Sequence, residues 1–510
     1  MIAASFLLPF TCMSAATAAA EFPIHDGAAN TITVAGQWPA SKAWEWYAKH
    51  PWLVGCNFLP STAVNDVEMW QKETFDPKTI DRELGWAQEL GFNTVRVFVN
   101  YAVWEDDAAG LKNTFRQFLE IANKHGLSTL VILFDDCFNP EPRVGKQPDP
   151  TPGMHNSQWV QSPGVKRRGD RAAWPKLEQY VKDMVGTFAS DKRVLAWDLY
   201  NEPAKDSLPL VEASFRWARE AGHDQPLTSC VYGGSADPKR LGEISDVISF
   251  HDYSGLGATK NVAGRLLALG RPVLCTEWMA RTAGSLFQTH LPYFKENKIA
   301  CWNWGFVVGR TQTHFPWGSP KDAPEPKVWF HDILRVDGTP YDQQEVRTIK
   351  VATGKLPPPP PTLLIATAEK DPVPWHMTED APAGGWFKPA FDAAAWKQAP
   401  APFGRQESER KPSTVWASAD IWLRREFDMP AGTFTDCALL LHHDDDAEIY
   451  INGVLAVKAG SYNAAYEAID ITPEAQAALK PGKNVIAAHC HQTVGGQYID
   501  IGLTGTRSGR

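Results

Sequence analysis

Two glutamates stand where a carboxylate can do chemistry. The run VLAWDLYNEP (194–203) is mostly apolar until it breaks off in Asn201, Glu202 and Pro203, and RPVLCTE (271–277) ends as abruptly in Glu277, with Trp278 next. An acid that closes a short, buried-type strand sits at the rim of a parallel barrel. One such acid alone is commonly a helix cap or a surface charge. Two of them, flanked by Trp197, Tyr200 and Trp278, form a pattern suited to glycosidic bond cleavage, in which one carboxylate attacks the anomeric carbon and the other moves a proton. The aromatic neighbours suit the same chemistry, because indole and phenol rings stack on sugar faces and exclude water.

The elements that must position these acids alternate along the chain. Short apolar strands are predicted at Trp52 to Phe58, Thr94 to Val99, Ser128 to Phe134, Val194 to Leu199, Leu227 to Val231, Asp246 to Phe250, Pro272 to Thr276 and Ile299 to Trp304. Amphipathic helices are predicted between most of them, at Ile80 to Leu90, Thr114 to Lys124, Leu177 to Phe188, Leu210 to Ala221 and Leu286 to Glu296. Eight strand and helix alternations are the sequence form of a (β/α)8 TIM barrel. Glu202 then ends strand four and Glu277 strand seven, which lie across the barrel from each other.

With these motifs in place, the stretch from about residue 45 to 350 resembles the clan A retaining glycoside hydrolases, most nearly the family 5 cellulase-like enzymes. The resemblance implies that Glu202, after Asn201, is the general acid/base and Glu277 the nucleophile. It also matches Arg96 in NTVRVF to a strand-two arginine, His251 and Tyr253 in FHDY to a histidine and tyrosine after strand six, and Trp304 in CWNWG to a strand-eight tryptophan, with Trp302 left to the core. A retaining site needs carboxyls about 5 to 5.5 Å apart. Arg96 would hold Glu277 ionised by charge pairing, while Glu202 keeps a raised pKa to carry its proton. Asn201 is placed to hydrogen-bond the substrate 2-hydroxyl, Tyr253 to orient the nucleophile and Trp304 to floor the subsite. Arg96 reads alternatively as a structural ion-pair member, and His251 as a core histidine. Trp278, Asp135 and Asp136 complete the expected substrate-binding set, although aspartates after a strand also cap loops.

A long loop rich in Pro, Gly and Asn runs from Asp135 to about Arg171 and carries His155, Asn156 and Trp159. A second insertion, Gly309 to Pro326, carries His314 and Trp317 on the same face. Should these loops close one end of the cleft, the enzyme is exo-acting; should they lie aside, the cleft is open. Loop direction is not legible in sequence.

The whole chain has 510 residues, 21 of them Trp, and a formal charge of −9. That charge, with no long basic run, gives no support to binding of nucleic acid or of an anionic membrane surface, and neutral sugars fit it better. The start, MIAASFLLPFTCMSAATAAAEF, joins an apolar stretch to small residues in the manner of a signal peptide cleaved after Ala20, with no basic residue before it. A secreted or periplasmic location is therefore expected. No later stretch is long enough to span a bilayer. Seven cysteines remain beyond the signal, and buried free thiols are expected of them rather than a disulfide framework. No Cys/His cluster has zinc-like spacing, and neither a metal nor a diffusible cofactor is expected.

Five consecutive prolines, Pro357 to Pro361, favour a stiff spacer. The domain division expected is 1–20 signal, 21–355 catalytic barrel, 356–362 linker and 363–510 a second, all-β domain. In the last segment the alternating runs IWLRREF, CALLLHH, AEIYING, NVIAAHC and YIDIGL are separated by turns such as Asn452-Gly453. FDAAAWKQAPAPFG and DDDAEIYINGVL resemble galactose-binding-like jelly-roll modules, which implies a β-sandwich. Asp444, Asp445 and Asp446 read as a solvated turn ahead of a calcium site. Of Trp375, Trp386, Trp396, Trp416 and Trp422, at least half are expected in the sandwich core.

The function expected is a secreted retaining β-glycosidase acting on a β-linked glucan, mannan or xylan. Its alternatives are a transglycosylase using the same residues and a catalytically silent carbohydrate-binding protein.

Overall fold

A computed structural model describes residues 36–507 except 236, 359, 406–410 and 464. The expected signal segment lies outside the described residues. The chain divides into two compact units, 1–357 and 358–510.

The first unit is a parallel eight-stranded barrel. Its strands are β1 (Val54–Asn57), β2 (Thr94–Phe98), β3 (Ser128–Asp135), β4 (Val194–Asn201), β5 (Leu227–Thr228), β6 (Ile248–His251), β7 (Val273–Trp278) and β8 (Ala300–Asn303). They pair in sequence order, with β1 against β8. The ring closes where Val231, just beyond β5, bridges Phe250 of β6 through its amide to Ser249 O at 2.8 Å. Every predicted strand is present within a few residues of its expected ends.

Local signals explain where the surrounding helices start and stop. Helix Pro77–Leu90 is capped by Asp76, whose carboxylate accepts from Thr79 N, and it carries Pro at its first position. The helix Tyr101–Lys124 starts earlier than the predicted Thr114, because Asn100 caps it and a kink at Asp107 joins two shorter pieces. The lower barrel is filled by Leu53, Leu130, Leu195, Val247, Leu274 and Trp302, against which the helix Ala40–Tyr47 packs Ala43 and Tyr47. It is a packed core, not a pore.

In the second unit two sheets pack around one core that includes Trp375, Phe403, Trp416, Leu439, Ile486 and Ile501. The longest pairings are antiparallel, Asp420–Met429 with Gly482–His491 and Phe434–Asp444 with Tyr498–Arg507. One short pair, Phe403–Gly404 with Thr414–Val415, is parallel. The core takes Trp375 and Trp416 only; Trp386, Trp396 and Trp422 stay half-buried, fewer tryptophans in the core than expected. Asp445 is not a solvated turn residue: it is buried, and its carboxylate accepts from Thr493 N and Oγ1 and from Val494 N, tying two loops together.

The seven cysteines of the described residues are free thiols; six are buried and Cys137 is partly exposed. No helix among the described residues is long and apolar enough to cross a membrane.

Candidate active site

Arg96, in the middle of β2, organises the upper barrel. It is wholly buried, and its guanidinium donates to Asn57 Oδ1 (2.8 Å), Glu277 Oε1 (2.7 Å), Asp198 Oδ2 (2.8 Å) and Asn201 Oδ1 (2.7 Å). A planar fork with five N–H groups can serve four acceptors at once, which a lysine cannot. The strand ends of β1, β2, β4 and β7 are thus locked to one cation.

Glu277 receives a second bond from Tyr253 Oη, 2.7 Å from Oε2. Glu202 faces it from the end of β4. Its Oε1 lies 2.8 Å from His251 Nδ1, which is also 3.5 Å from Glu277 Oε2. Ligand atoms of Glu202, His251 and Glu277 all fall within 4.8 Å of one another, so the two carboxyl groups approach closely. Among the described residues no other His, Cys, Asp and Glu group has a geometry that could hold a metal ion. The Glu277 oxygens are engaged by Arg96 and Tyr253, with His251 close by. Glu202 has φ 42°, a left-handed backbone that a non-glycine residue adopts at a cost of order 1–3 kcal/mol, and Cys230 Sγ accepts from its amide at 3.1 Å. The strain turns the side chain over the barrel mouth, leaving it 25% exposed where Glu277 is 7% exposed.

Burial raises the pKa of both glutamates. For Glu277 the Arg96 guanidinium and the Tyr253 hydroxyl pull it back, while the Glu202 charge pushes it up. Glu202 has only the Cys137 thiol, 3.5 Å away, and a more distant Arg96 to oppose its desolvation. Of the two, Glu277 is therefore the better stabilised anion and Glu202 the better proton carrier. Burial also lowers His251 to about 3, with Arg96 adding to the fall, so the imidazole is neutral.

Asn201 and Asp135 build the adjoining wall. Asn201 Nδ2 donates to Asp135 Oδ1 at 2.9 Å, and Asp135 Oδ2 accepts from Trp159 Nε1 at 2.8 Å. Trp159 and Phe98 pack against Trp304, with ring centroids 5.7 and 5.8 Å away, leaving Trp304 half-buried at the mouth. Burial pushes Asp135 up to about 7.

Three expectations are corrected. Trp278 is buried among Phe287, His290 and Phe294 and faces the helix layer. Successive strand residues point to opposite faces, so with Glu277 turned into the barrel Trp278 cannot be. Asp135 is buried and fully engaged with Asn201, Trp159 and Cys137 N, and it supports the wall without facing a ligand. Asp136 holds Arg168, Tyr200, Ala204 N and Ser207, bolting the loop after β3 to the loop after β4. Asn201 is nearly saturated by Arg96 and Asp135; its remaining N–H faces Cys137 Sγ at 3.7 Å.

The structure thus brings together Arg96, Asn201, Glu202, His251, Tyr253, Glu277 and Trp304, and sets Trp278 and Asp136 apart. It adds Asn57, Asp198 and Cys137. Asn57 and Asp198 were marked only as single polar residues in otherwise apolar strands; Cys137 had no signal.

No protein-family model matches this chain, and no curated protein does. Solved structures that resemble it include a GH5_18 protein of Streptomyces cattleya in complex with GlcNAc, 14% identical over 61% of this chain and 82% of that one, with a TM-score of 0.42. Others are a β-mannanase of the blue mussel Mytilus edulis (14% identity, 51% and 87% covered, TM-score 0.38) and an exo-β-1,4-mannosidase of Opitutaceae bacterium strain TAV5 (16%, 59% and 59%, 0.41). At such scores the chemistry of this chain rests on its own geometry.

Proposed function

We propose that the protein is a secreted retaining β-glycosidase that hydrolyses a β-linked glycan of glucan, mannan or xylan type. The observation that carries this reading is the close approach of two carboxyls with unlike partners, Glu277 held by Arg96 and Tyr253, and Glu202 beside a neutral imidazole and a thiol. Carboxyls this near leave no room for a water between one of them and the sugar, which favours direct attack by the carboxylate.

In this mechanism a Glu277 oxygen attacks the anomeric carbon as the glycosidic C–O bond breaks, and the leaving oxygen takes the Glu202 proton. The resulting ester is hydrolysed when Glu202, now a carboxylate, removes a proton from water; the new C–O bond restores the starting configuration and frees Glu277. One guanidinium faces Asp198 and Glu277 directly and Glu202 only at a distance, which supports placing the mobile proton on Glu202. The expected export rests on the apolar, small-residue start of the sequence.

The test is turnover of aryl β-glucosides, mannosides, xylosides and galactosides by the wild type and by Glu277→Ala. Turnover of at least one sugar, lost in the variant and restored by azide as an α-glycosyl azide, supports the reading. A folded wild type silent on every sugar, or azide rescue with β configuration, contradicts it.

A further inference from the structure

We infer that the cleft is blind at its glycone end, so that the enzyme removes single sugars from the non-reducing terminus of its chain. This rests on the glycosidase reading of the same site. The loop after β3 and the loop after β8 are sewn together. Asn156 N donates to Thr311 O (2.8 Å) and Asp322 N to Pro152 O (2.7 Å), while His155 Nδ1 lies 2.8 Å from Phe315 O. Gln312 is the central stitch: its Oε1 accepts from Gly153 N (2.9 Å), and its Nε2 donates to Thr151 O (2.7 Å) and Met154 O (3.2 Å). The loop after β1 joins through Arg310 N to Ser61 O and Asn65 Nδ2 to Gln147 Oε1. At Gly153 a side chain would strike the Ala323 backbone, so the approach is as close as the chain permits.

The seam presents an aromatic arc to the reacting centre. Phe138 stacks on His155, His155 meets Trp317, and Trp317 stands edge-on to Tyr253 with centroids 4.9 Å apart. The two ends of the arc adjoin the catalytic pair: Tyr253 bonds Glu277, and Cys137, next to Phe138, touches Glu202. A wall this near the carboxyls admits the sugar being cleaved and no second one beyond it.

The opposite side, where Glu202 would protonate the leaving oxygen, has a short connection: after β4 the chain passes almost at once into helix Leu208–Ala221. The remaining chain leaves in that direction.

The experiment uses the aryl glycoside panel to name the sugar, then linear β-1,4-oligosaccharides of that sugar labelled at the reducing end. Unlabelled monosaccharide as the first product, with the label moving stepwise to shorter chains, is expected. Gln312→Ala, which unpicks the seam, is expected to keep aryl glycoside turnover and to release internal fragments early. Labelled mid-length fragments from the wild type at the earliest times, a labelled monosaccharide, or no shortening of any oligosaccharide would overturn the blind end while leaving the glycosidase reading intact. Silence on every aryl glycoside would instead overturn both.

Discussion

Removing the Arg96 guanidinium tests whether one cation keeps the nucleophile ionised. Arg96→Met keeps much of the side-chain volume and deletes four hydrogen bonds, to Asn57, Glu277, Asp198 and Asn201. Two unit charges about 4 Å apart at an effective dielectric of about 20 attract by about 4 kcal/mol. Losing that attraction lowers the ionised fraction of Glu277 at a given acidic pH by roughly a thousandfold. The assay is kcat/KM against pH on a dinitrophenyl β-glycoside, a leaving group that needs no proton, so that the acidic limb reports Glu277 rather than Glu202. The limb is expected to move to higher pH, with a deficit of roughly a thousandfold below it and partial recovery above. The variant is also expected to lose about 3–5 kcal/mol of stability, since Asp198 stays buried without its cation, so its fold is checked by circular dichroism first. A limb that stays in place while the rate falls equally at every pH would refute the ionisation role and leave Arg96 as a structural tie.

Three further outcomes follow from other parts of the molecule. Glu202→Gln should slow cleavage of alkyl glycosides by about 10²–10⁴-fold while sparing the formation of the glycosyl ester from dinitrophenyl glycosides, and equal losses would remove Glu202 as the acid. His251 is ordinarily half-protonated at 6.5 but held neutral to about 3 by burial, so between those pH values the unfolded chain binds the extra proton and stability falls as pH drops. The full effect is at most about 5 kcal/mol, and the wild-type-minus-His251→Gln difference in urea stability should shrink toward acid; a flat difference would contradict the burial. Gly55→Ala places a Cβ against the Thr94 carbonyl, must part β1 from β2, and should cost about 3 kcal/mol or more, seen as a lower unfolding temperature; an unchanged one would mean the strands are not so close.

The barrel was legible because its eight strands are short apolar runs separated by helical stripes, a pattern that burial on both strand faces imposes. Glu202 and Glu277 were legible for the opposite reason, as charges ending such runs. The next residue defeats the same reading: Trp278 follows Glu277 in sequence and is turned from it by the strand's two-residue period. Asp135 and Asp136 are adjacent aspartates after one strand, and only the arrival of Asn201, Trp159 and Arg168 from elsewhere in the chain decides what each holds. The seam through Gln312 leaves no trace in the sequence, because it is made largely with backbone groups that every residue carries. In the second unit the alternation of IWLRREF and its partners marked strands correctly, while the number of core tryptophans depended on which sheet face each occupied.

The most direct measurement of the central claim is the configuration of the first product, read by proton NMR within the first turnovers on an aryl β-glycoside, before the free sugar equilibrates. Initial release of the β-anomer, absent in Glu277→Ala, is the result expected of a double displacement between two nearby carboxyls. Initial release of the α-anomer would mean that water attacks directly, and that Glu277 is not the nucleophile.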